Sequence, residues 1–495
     1  MCFIEPKLHL KNVNYNKKDK KQDLIIILCL LLLNIIIKSL YLGDYNIELD
    51  EPFTIYHAQS SLVDLFKMFH NENNPPLFFI LMHFWVKMFG IGIISVRILP
   101  MLFSSAAVIF IYMIAKKYIN IIAALGASLF YTFSIIGIML AHDARVYSLF
   151  VLLTTASMYF YFLLINAEKK KKYFIVLTII NVLLIYAHFL AFFVILIQII
   201  YTLIFSSIRK DILKKYAVSL LVLFIAYLPY LFIFLKRISA TMHTGLCVPK
   251  SSAANPFTIL NTCFNYNTYV TILFLVILVL FGLTVLFKKK RLNVYDLMIA
   301  GWFIIPSVFM FIISLRFPLT IATYMSFTFP GFYILIMLGT TYLTSNFKMI
   351  GIFIISAGLF LMIINTDLNY SYKFESSKAV SLIHKLKTDS TRVYIFPSWI
   401  ELIFAYHYNI EAFKDFGNFK QDLAKDHVFI ISSANDIDTV NTNISEVLLF
   451  HGWSAFTNDD KDHSLMNALV KKFGPMDTIA NYNSYEIYRF CPKRQ

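Results

Sequence analysis

Apolar runs long enough to cross a bilayer recur along this 495-residue chain, and lysine clusters stand between them. About 20 apolar residues in helical form span the ~30 Å of hydrocarbon, where every backbone polar group must find its partner within the protein. The composition agrees: 58% of residues are hydrophobic, 15% are charged, and mean hydropathy is +0.67. The expected fold class is therefore an α-helical polytopic membrane protein. A net charge of +15 could signal nucleic acid, but the basic residues cluster between the apolar runs. That is the positive-inside pattern, so the charge sets topology and no nucleic-acid partner is expected.

Residues 1–23 read as a basic cytoplasmic N-terminus and not a cleavable signal, because the run 24–42 has span length and no small-residue cleavage site. The other basic segments are Lys116-Lys117, Lys169 to Lys172, Arg209 to Lys215, Lys288 to Arg291, and Lys348. All fall in the cytoplasm if the spans are 24–42, 98–115, 118–140, 146–166, 173–190, 191–208, 216–235, 269–287, 296–315, 321–343 and 348–365. That gives about eleven transmembrane helices. Residues 76–89 are too short to cross, and their leading prolines suit a first helical turn, so a helix lying at the outer surface is expected. The expected organisation is a transmembrane domain over 24–365, with its first outer loop at 43–97, then a polar segment over 366–495. The latter has β-prone runs at 392–396, 427–431 and 485–490, and helix-like stretches at 376–386 and 464–473. It reads as a small α/β domain, placed extracytoplasmically by the odd span count. The expected location is the inner (plasma) membrane.

On this topology the ionisable groups gather at the outer face. Asp50-Glu51 directly follow the first span and are themselves followed by Pro52. Glu48, His57, Asp64, His70 and Glu72 share that loop; later turns add His142, Asp143 and Arg145, then His188, then Lys236, Arg237 and His243, then Arg316. Ionisable groups at membrane level are expensive and commonly mark a substrate path. The Asp50-Glu51 pair suits a general base with an orienting or metal-holding neighbour, against the plainer reading of charged residues ending a loop. Asp143 and Arg145 either pair with one another or serve a hydroxyl and a phosphate. His188 at a helix end is either structural or a ligand, and Lys236 and Arg237 either snorkel or meet a lipid phosphate. No metal motif is present; Glu51 and His188 are the candidate ligands should a divalent metal be used. Cys247 and Cys263 fall in one expected outer loop, where a disulfide could form.

Several short motifs, in order, resemble the GT-C superfamily of integral-membrane glycosyltransferases. They are Leu49-Asp50-Glu51, the run from Asn74-Pro75-Pro76-Leu77 to Trp85 with Gly90, Arg97-Ile98-Leu99-Pro100, Asp143-Ala144-Arg145-Val146-Tyr147, and Tyr186-Ala187-His188-Phe189. Tyr324-Met325 to Pro330-Gly331 extends the likeness towards residue 340. The likeness is greatest to the bacterial family 39 group, which includes protein O-mannosyltransferases, the aminoarabinose transferase of lipid A and Rgt-type sugar transferases. The resemblance implies a GT-C-like fold and transfer of a sugar, with inversion, from a polyprenyl-phosphate donor to a hydroxyl on a glycan, lipid or protein acceptor. It implies Asp50 as the base, Glu51 and Asp143 as its catalytic partners, Arg145 as a donor-phosphate contact and His188 as a metal or phosphate ligand. Lys236, Arg237 and Arg316, cations at the same outer face, are read as further donor-phosphate contacts, Arg316 in place of the arginine expected before Tyr324. Two positions depart from the pattern: Asn74 stands where the family usually has His, and Thr323 where Arg often precedes the tyrosine. They hint at an altered donor or acceptor, or at reduced activity.

Two other classes compete. A lipid-linked sugar flippase or transporter would carry polar sites near the midplane and often repeated halves; here the charges sit at one face and no repeat is visible. A non-catalytic membrane scaffold would leave the Asp50-Glu51 pair unexplained.

Overall fold

The structure, a computed structural model, describes residues 17–70, 72, 74–166, 171–206, 210–244, 255–287, 292–317, 319–369, 375–437, 445–452, 460 and 463–491. The chain forms two compact units, one of residues 1–41, 67–78 and 97–370, the other of residues 42–66, 79–96 and 371–495. In chain order the helices begin with α1 (Lys17–Ser39), α2 (Glu51–Gln59), α3 (Leu62–Met68), α4 (Leu77–Phe89), α5 (Ile93–Tyr118) and α6 (Ile121–Phe133). Next are α7 (Ile135–Ala141), α8 (Tyr147–Asn166), α9 (Lys171–Ala187), α10 (Ala191–Ser206) and α11 (Lys210–Thr244). Then come α12 (Pro256–Thr262), α13 (Thr268–Phe287), α14 (Val294–Ser314), α15 (Ala322–Met325), α16 (Phe329–Leu343) and α17 (Lys348–Ile364).

Among the described residues, seven helical stretches are long and apolar enough to cross a bilayer: α1, α5, α8, α11, α13, α14 and the run through α15 and α16. α6 and α7 meet the same test as a pair, bent by 58°. The bend falls at Ser134, whose hydroxyl caps α7 by accepting from the Gly137 amide at 3.2 Å. On length this is fewer than the expected eleven. The runs expected at 173–190, 191–208 and 348–365 form helices of 17, 16 and 17 residues. The turn at His188 shortens the first two. α4, of 13 residues, is the short apolar helix expected after the proline pair.

The first unit is centred on α16, where every residue from Phe329 to Thr340 is buried. A helix without a polar face belongs inside a bundle, and α6, α13 and α14 pack around it. Gly331 is needed there, since a Cβ would lie 2.9 Å from the Trp302 ring. Three polar side chains in the bundle find partners across helices. Ser157, Asn181 and Gln198 close a ring between α8, α9 and α10 at 2.6–2.9 Å, as groups without water must.

The second unit is built on a five-stranded sheet: β1 (Thr391–Phe396), β2 (Val428–Ile430), β3 (Glu446–Gly452), β4 (Met476–Tyr482) and β5 (Tyr485–Phe490). Their order is β2-β1-β3-β5-β4, with β1 parallel to both neighbours and β5 antiparallel to β3 and β4. Its helices are α18 (Ser376–Leu386), α19 (Glu401–Tyr408), α20 (Ile410–Lys414), α21 (Phe419–Lys425) and α22 (Ser464–Phe473). Tyr394, Phe396, Val447, Leu449 and Phe490 pack with Leu465, Leu469 and Phe473 of α22 on one face. α18 lies against β5 and α19 against β1, and Phe404 of α19 meets Phe450 of β3 at 5.1 Å. β1 is buried at all six positions, as a central strand covered on both faces should be.

Candidate functional site

The expected site residues fall in both units, and each group is built by its own local structure. In the second unit, Leu49 adopts the left-handed conformation (φ 54°), which costs a non-glycine residue about 1 kcal/mol. That turn sets Asp50 as the N-cap of α2, with Pro52 in the first turn. The Asp50 side chain makes no capping bond, and the residue is exposed; its carbonyl accepts from Thr54 N and Oγ1, both at 3.1 Å. Glu51 is instead buried, its Oε2 3.4 Å from the Glu48 amide. The two adjacent carboxylates therefore differ: one is presented and one is turned inward.

Glu48 is a residue that sequence reasoning placed only within the loop. It is buried, accepts from the Tyr485 hydroxyl at 2.6 Å and from the Ser376 amide at 3.2 Å, and so ties the Asp50 turn to β5 and to the start of α18. Burial raises its carboxyl from an ordinary 4.5 to about 7, against the pull of the Ser376 and Tyr485 hydrogen bonds. Ser377 Oγ adds a 2.8 Å bond to Asn46, and His407 Nε2 one of 3.0 Å to the Ile47 carbonyl. On α2, Tyr56 lies among Phe413, Phe416 and Phe419, its hydroxyl accepting from the Gly417 amide at 2.8 Å. His57 packs on Phe53 and Phe416, and burial lowers it to about 4.

In the first unit, the turns after α7 and α9 converge. His142 caps α7, and its Nε2 lies 2.8 Å from the Lys38 carbonyl. Lys38 itself was hidden within the first apolar run; it is fully buried, bonded to Ser104 Oγ at 2.9 Å and set 4.3 Å over the Tyr131 ring. Asp143 is half-buried and Arg145 buried, with the Arg145 amide 2.7 Å from the Asp143 carbonyl. His188 is fully buried, stacked on Phe150 at 4.7 Å, near Tyr147 and Tyr324, and within electrostatic reach of Arg145. Its Nδ1 accepts from the Leu190 amide at 3.1 Å, which puts the proton on Nε2. That Nε2 is buried without a hydrogen-bond partner among the described residues, a vacancy that calls for a functional account.

A second grouping lies along α11. Asn74 donates to Glu72 Oε1 through both its amide and its side chain, and its carbonyl is 3.5 Å from the Tyr230 hydroxyl. Glu72 and Arg237 both act electrostatically on that phenol. Tyr186, two residues before His188, lies 5.7 Å from Tyr227 and 6.1 Å from Tyr230, so aromatic rings run from the α9 turn along α11. α11 continues past the expected span end, so Lys236 (exposed) and Arg237 (half-buried) sit on its later turns. Arg316 is exposed over the Phe317 ring, and Thr323 is the second residue of α15, next to Tyr324. The His243 side chain lies outside the described residues. Cys263 is a buried free thiol; Cys247, its expected partner, also lies outside them. Among the described residues, no three His, Cys, Asp or Glu side chains come together as a metal site, so neither Glu51 nor His188 belongs to such a group there.

Residues 73–233 match the sequence model of the family described as dolichyl-phosphate-mannose-protein mannosyltransferase. No curated protein sequence matches the chain. Among solved structures, apo ArnT from Cupriavidus metallidurans is similar at TM-score 0.58 and 9% identity, covering 95% of this chain and 98% of that one. The same protein bound to undecaprenyl phosphate gives 0.58 and 10%, covering 94% and 97%. Archaeal oligosaccharyltransferase AglB from Archaeoglobus fulgidus, in complex with an inhibitory peptide and a dolichol-phosphate, gives 0.54 and 10%, covering 95% and 74%. At these identities the likeness to the solved structures is one of fold.

Proposed function

Because this chain has the GT-C glycosyltransferase fold, we propose that it transfers a sugar from a polyprenyl-phosphate donor to a hydroxyl acceptor at the extracytoplasmic membrane face, with Asp50 as general base. The observation that carries the reading is Asp50, exposed at the head of α2 beside a buried Glu51. In this mechanism Asp50 takes the acceptor hydroxyl's proton as its oxygen attacks the anomeric carbon. The carbon–oxygen bond to phosphate breaks, and the lipid phosphate leaves with the electron pair, inverting the anomeric centre. Negative charge grows on the leaving phosphate, where fixed cationic and N–H donors act most strongly. Arg145 and the Nε2–H of His188 are our candidates for that work, with Lys236, Arg237 and Arg316 as further phosphate contacts and Asp143 orienting the Arg145 turn. The undecaprenyl phosphate and dolichol-phosphate bound by the structural neighbours support this donor class. The active face is the one opposite the lysine clusters, in a plasma-membrane protein with a cytoplasmic N-terminus.

Asp50→Asn tests the assignment. A lost general base lowers turnover by about 10²–10⁴-fold, so the variant should insert normally and bind polyprenyl phosphate normally. Mass spectrometry of the host's envelope glycans and glycoproteins should show the deletion strain's missing-sugar profile. A wild-type profile from Asp50→Asn would remove Asp50 as the base.

A further inference from the structure

The second unit holds a cleft that the mechanism does not use. β1 and β2 pair in parallel at one edge of the sheet. Beside their carboxyl ends these strands, the turns that follow them and α21 line an open cleft of about 670 Å³, within the ~300–1,000 Å³ of small-molecule sites.

The lining has a definite chemistry. Trp399 contributes an indole that remains 47% exposed. Around it stand Ser398, Glu401, Lys420, Ser432 and Asp436. Lys420 Nζ lies 2.7 Å from Glu401 Oε2, so its charge is matched by a carboxylate. Asp436 is held by the Ser432 and Ser433 amides at 2.7 and 2.8 Å. The Arg392 guanidinium lies against the lining, 5.0 Å from the Phe429 ring and 3.5 Å from the Tyr394 hydroxyl. What it offers is an aromatic face, hydroxyls, and acceptors for hydroxyl protons. A pyranose ring fits that set, its C–H face lying on the indole and its hydroxyls meeting the rim.

We propose that this cleft at the carboxyl ends of β1 and β2 is a saccharide subsite, taking one pyranose ring of a glycan on Trp399. Its role in docking a glycan acceptor rests on the transferase reading; the binding itself does not. The test is titration of the detergent-purified full-length protein, without donor lipid, followed by calorimetry and saturation-transfer NMR. The probes are the methyl glycosides of glucose, galactose, mannose and N-acetylglucosamine, and oligosaccharides released from the host envelope by mild acid. Saturable binding to at least one saccharide is expected, weakened about tenfold or more by Trp399→Ala, or ~1.4 kcal/mol, and largely kept by Trp399→Phe at unchanged melting temperature. The proposal falls if no saccharide binds saturably, if Trp399→Ala binds as wild type does, or if a short extended Ser/Thr peptide binds through Trp399 while saccharides do not. Because no turnover is measured, a failure here and a failure of the Asp50 assignment are separately visible.

Discussion

Arg145 and His188 share one pocket of packing at the turns after α7 and α9, yet they would serve a phosphate differently. Arg145 brings a permanent charge and a planar fork of donors. His188, neutral with its proton on Nε2, brings one buried N–H held in place by the Phe150 stack and the Leu190 amide. His188→Phe keeps the aromatic packing and removes the donor, so folding should survive while the KM for the donor lipid rises about tenfold, or ~1.4 kcal/mol. Arg145→Lys keeps the charge and loses the fork, and should raise that KM similarly. Donor titrations of both variants check this; an unchanged KM for His188→Phe would make the histidine a packing residue only. Of this cluster, the sequence exposes Asp143, Arg145 and His188, because charges stand out between apolar runs. Lys38 was invisible, since a lysine near the end of a span looks like interfacial snorkelling until Ser104 and Tyr131 are seen around it.

At the level of elements, the segment from Leu42 to α2 is held by Glu48, and this hold depends on pH. Burial raises Glu48 from 4.5 to about 7, so between those values the folded protein keeps a proton that the unfolded chain has lost. Stability from this group is fully present below pH 4.5 and is lost as pH rises to about 7, by ~3 kcal/mol at ~1.4 kcal/mol per tenfold change in proton affinity. His57 slopes the other way: lowered from 6.5 to about 4, its contribution is present above 6.5 and is lost as pH falls towards 4. The two nearly cancel from about pH 4.5 to 6.5, and Glu48 alone acts above that. Wild-type melting temperature should therefore stay level to about pH 6.5 and then fall to about pH 7.5, whereas Glu48→Gln should rise to pH 6.5 and then hold level. Identical melting profiles for both proteins would show that Glu48 is not the titrating group. The strands teach a related lesson about legibility. β1, β2 and β5 and helices α18 and α22 follow from β-prone runs and helical spacing. β3 carries the apolar run Val447-Leu448-Leu449-Phe450, which lies outside the three β-prone runs. β4, exposed along most of its length, is a strand only because β5 pairs with it.

Across the whole molecule, the fold class and the short helix α4 could be read from apolar run lengths, and the C-terminal α/β architecture from its alternating patterns. The grouping of the first loop with residues 371–495 could not, because it rests on contacts such as Glu48 with Tyr485 that leave no local pattern. That grouping sharpens what truncation should do. Removing residues after 370 strips Glu48 and Tyr56 of their partners, so the shortened protein should still bind polyprenyl phosphate through Arg145 and His188. It should lose transfer to every acceptor tested, beyond any narrowing of acceptor choice. Donor binding and transfer assays on the truncated protein decide this; retained transfer would mean that the Asp50 turn stands without its C-terminal support.

The same pairing also orders events during biosynthesis. Glu48 and Tyr485 are 437 residues apart, so at ~5–20 residues per second the ribosome needs about 20–90 s to make the tyrosine after the glutamate. For that interval the Asp50 loop is already translated while its support does not yet exist. A chain released before Tyr485 therefore carries Asp50, the proposed base, on a loop without that hydrogen bond, which ties the proposed transfer to synthesis through Tyr485.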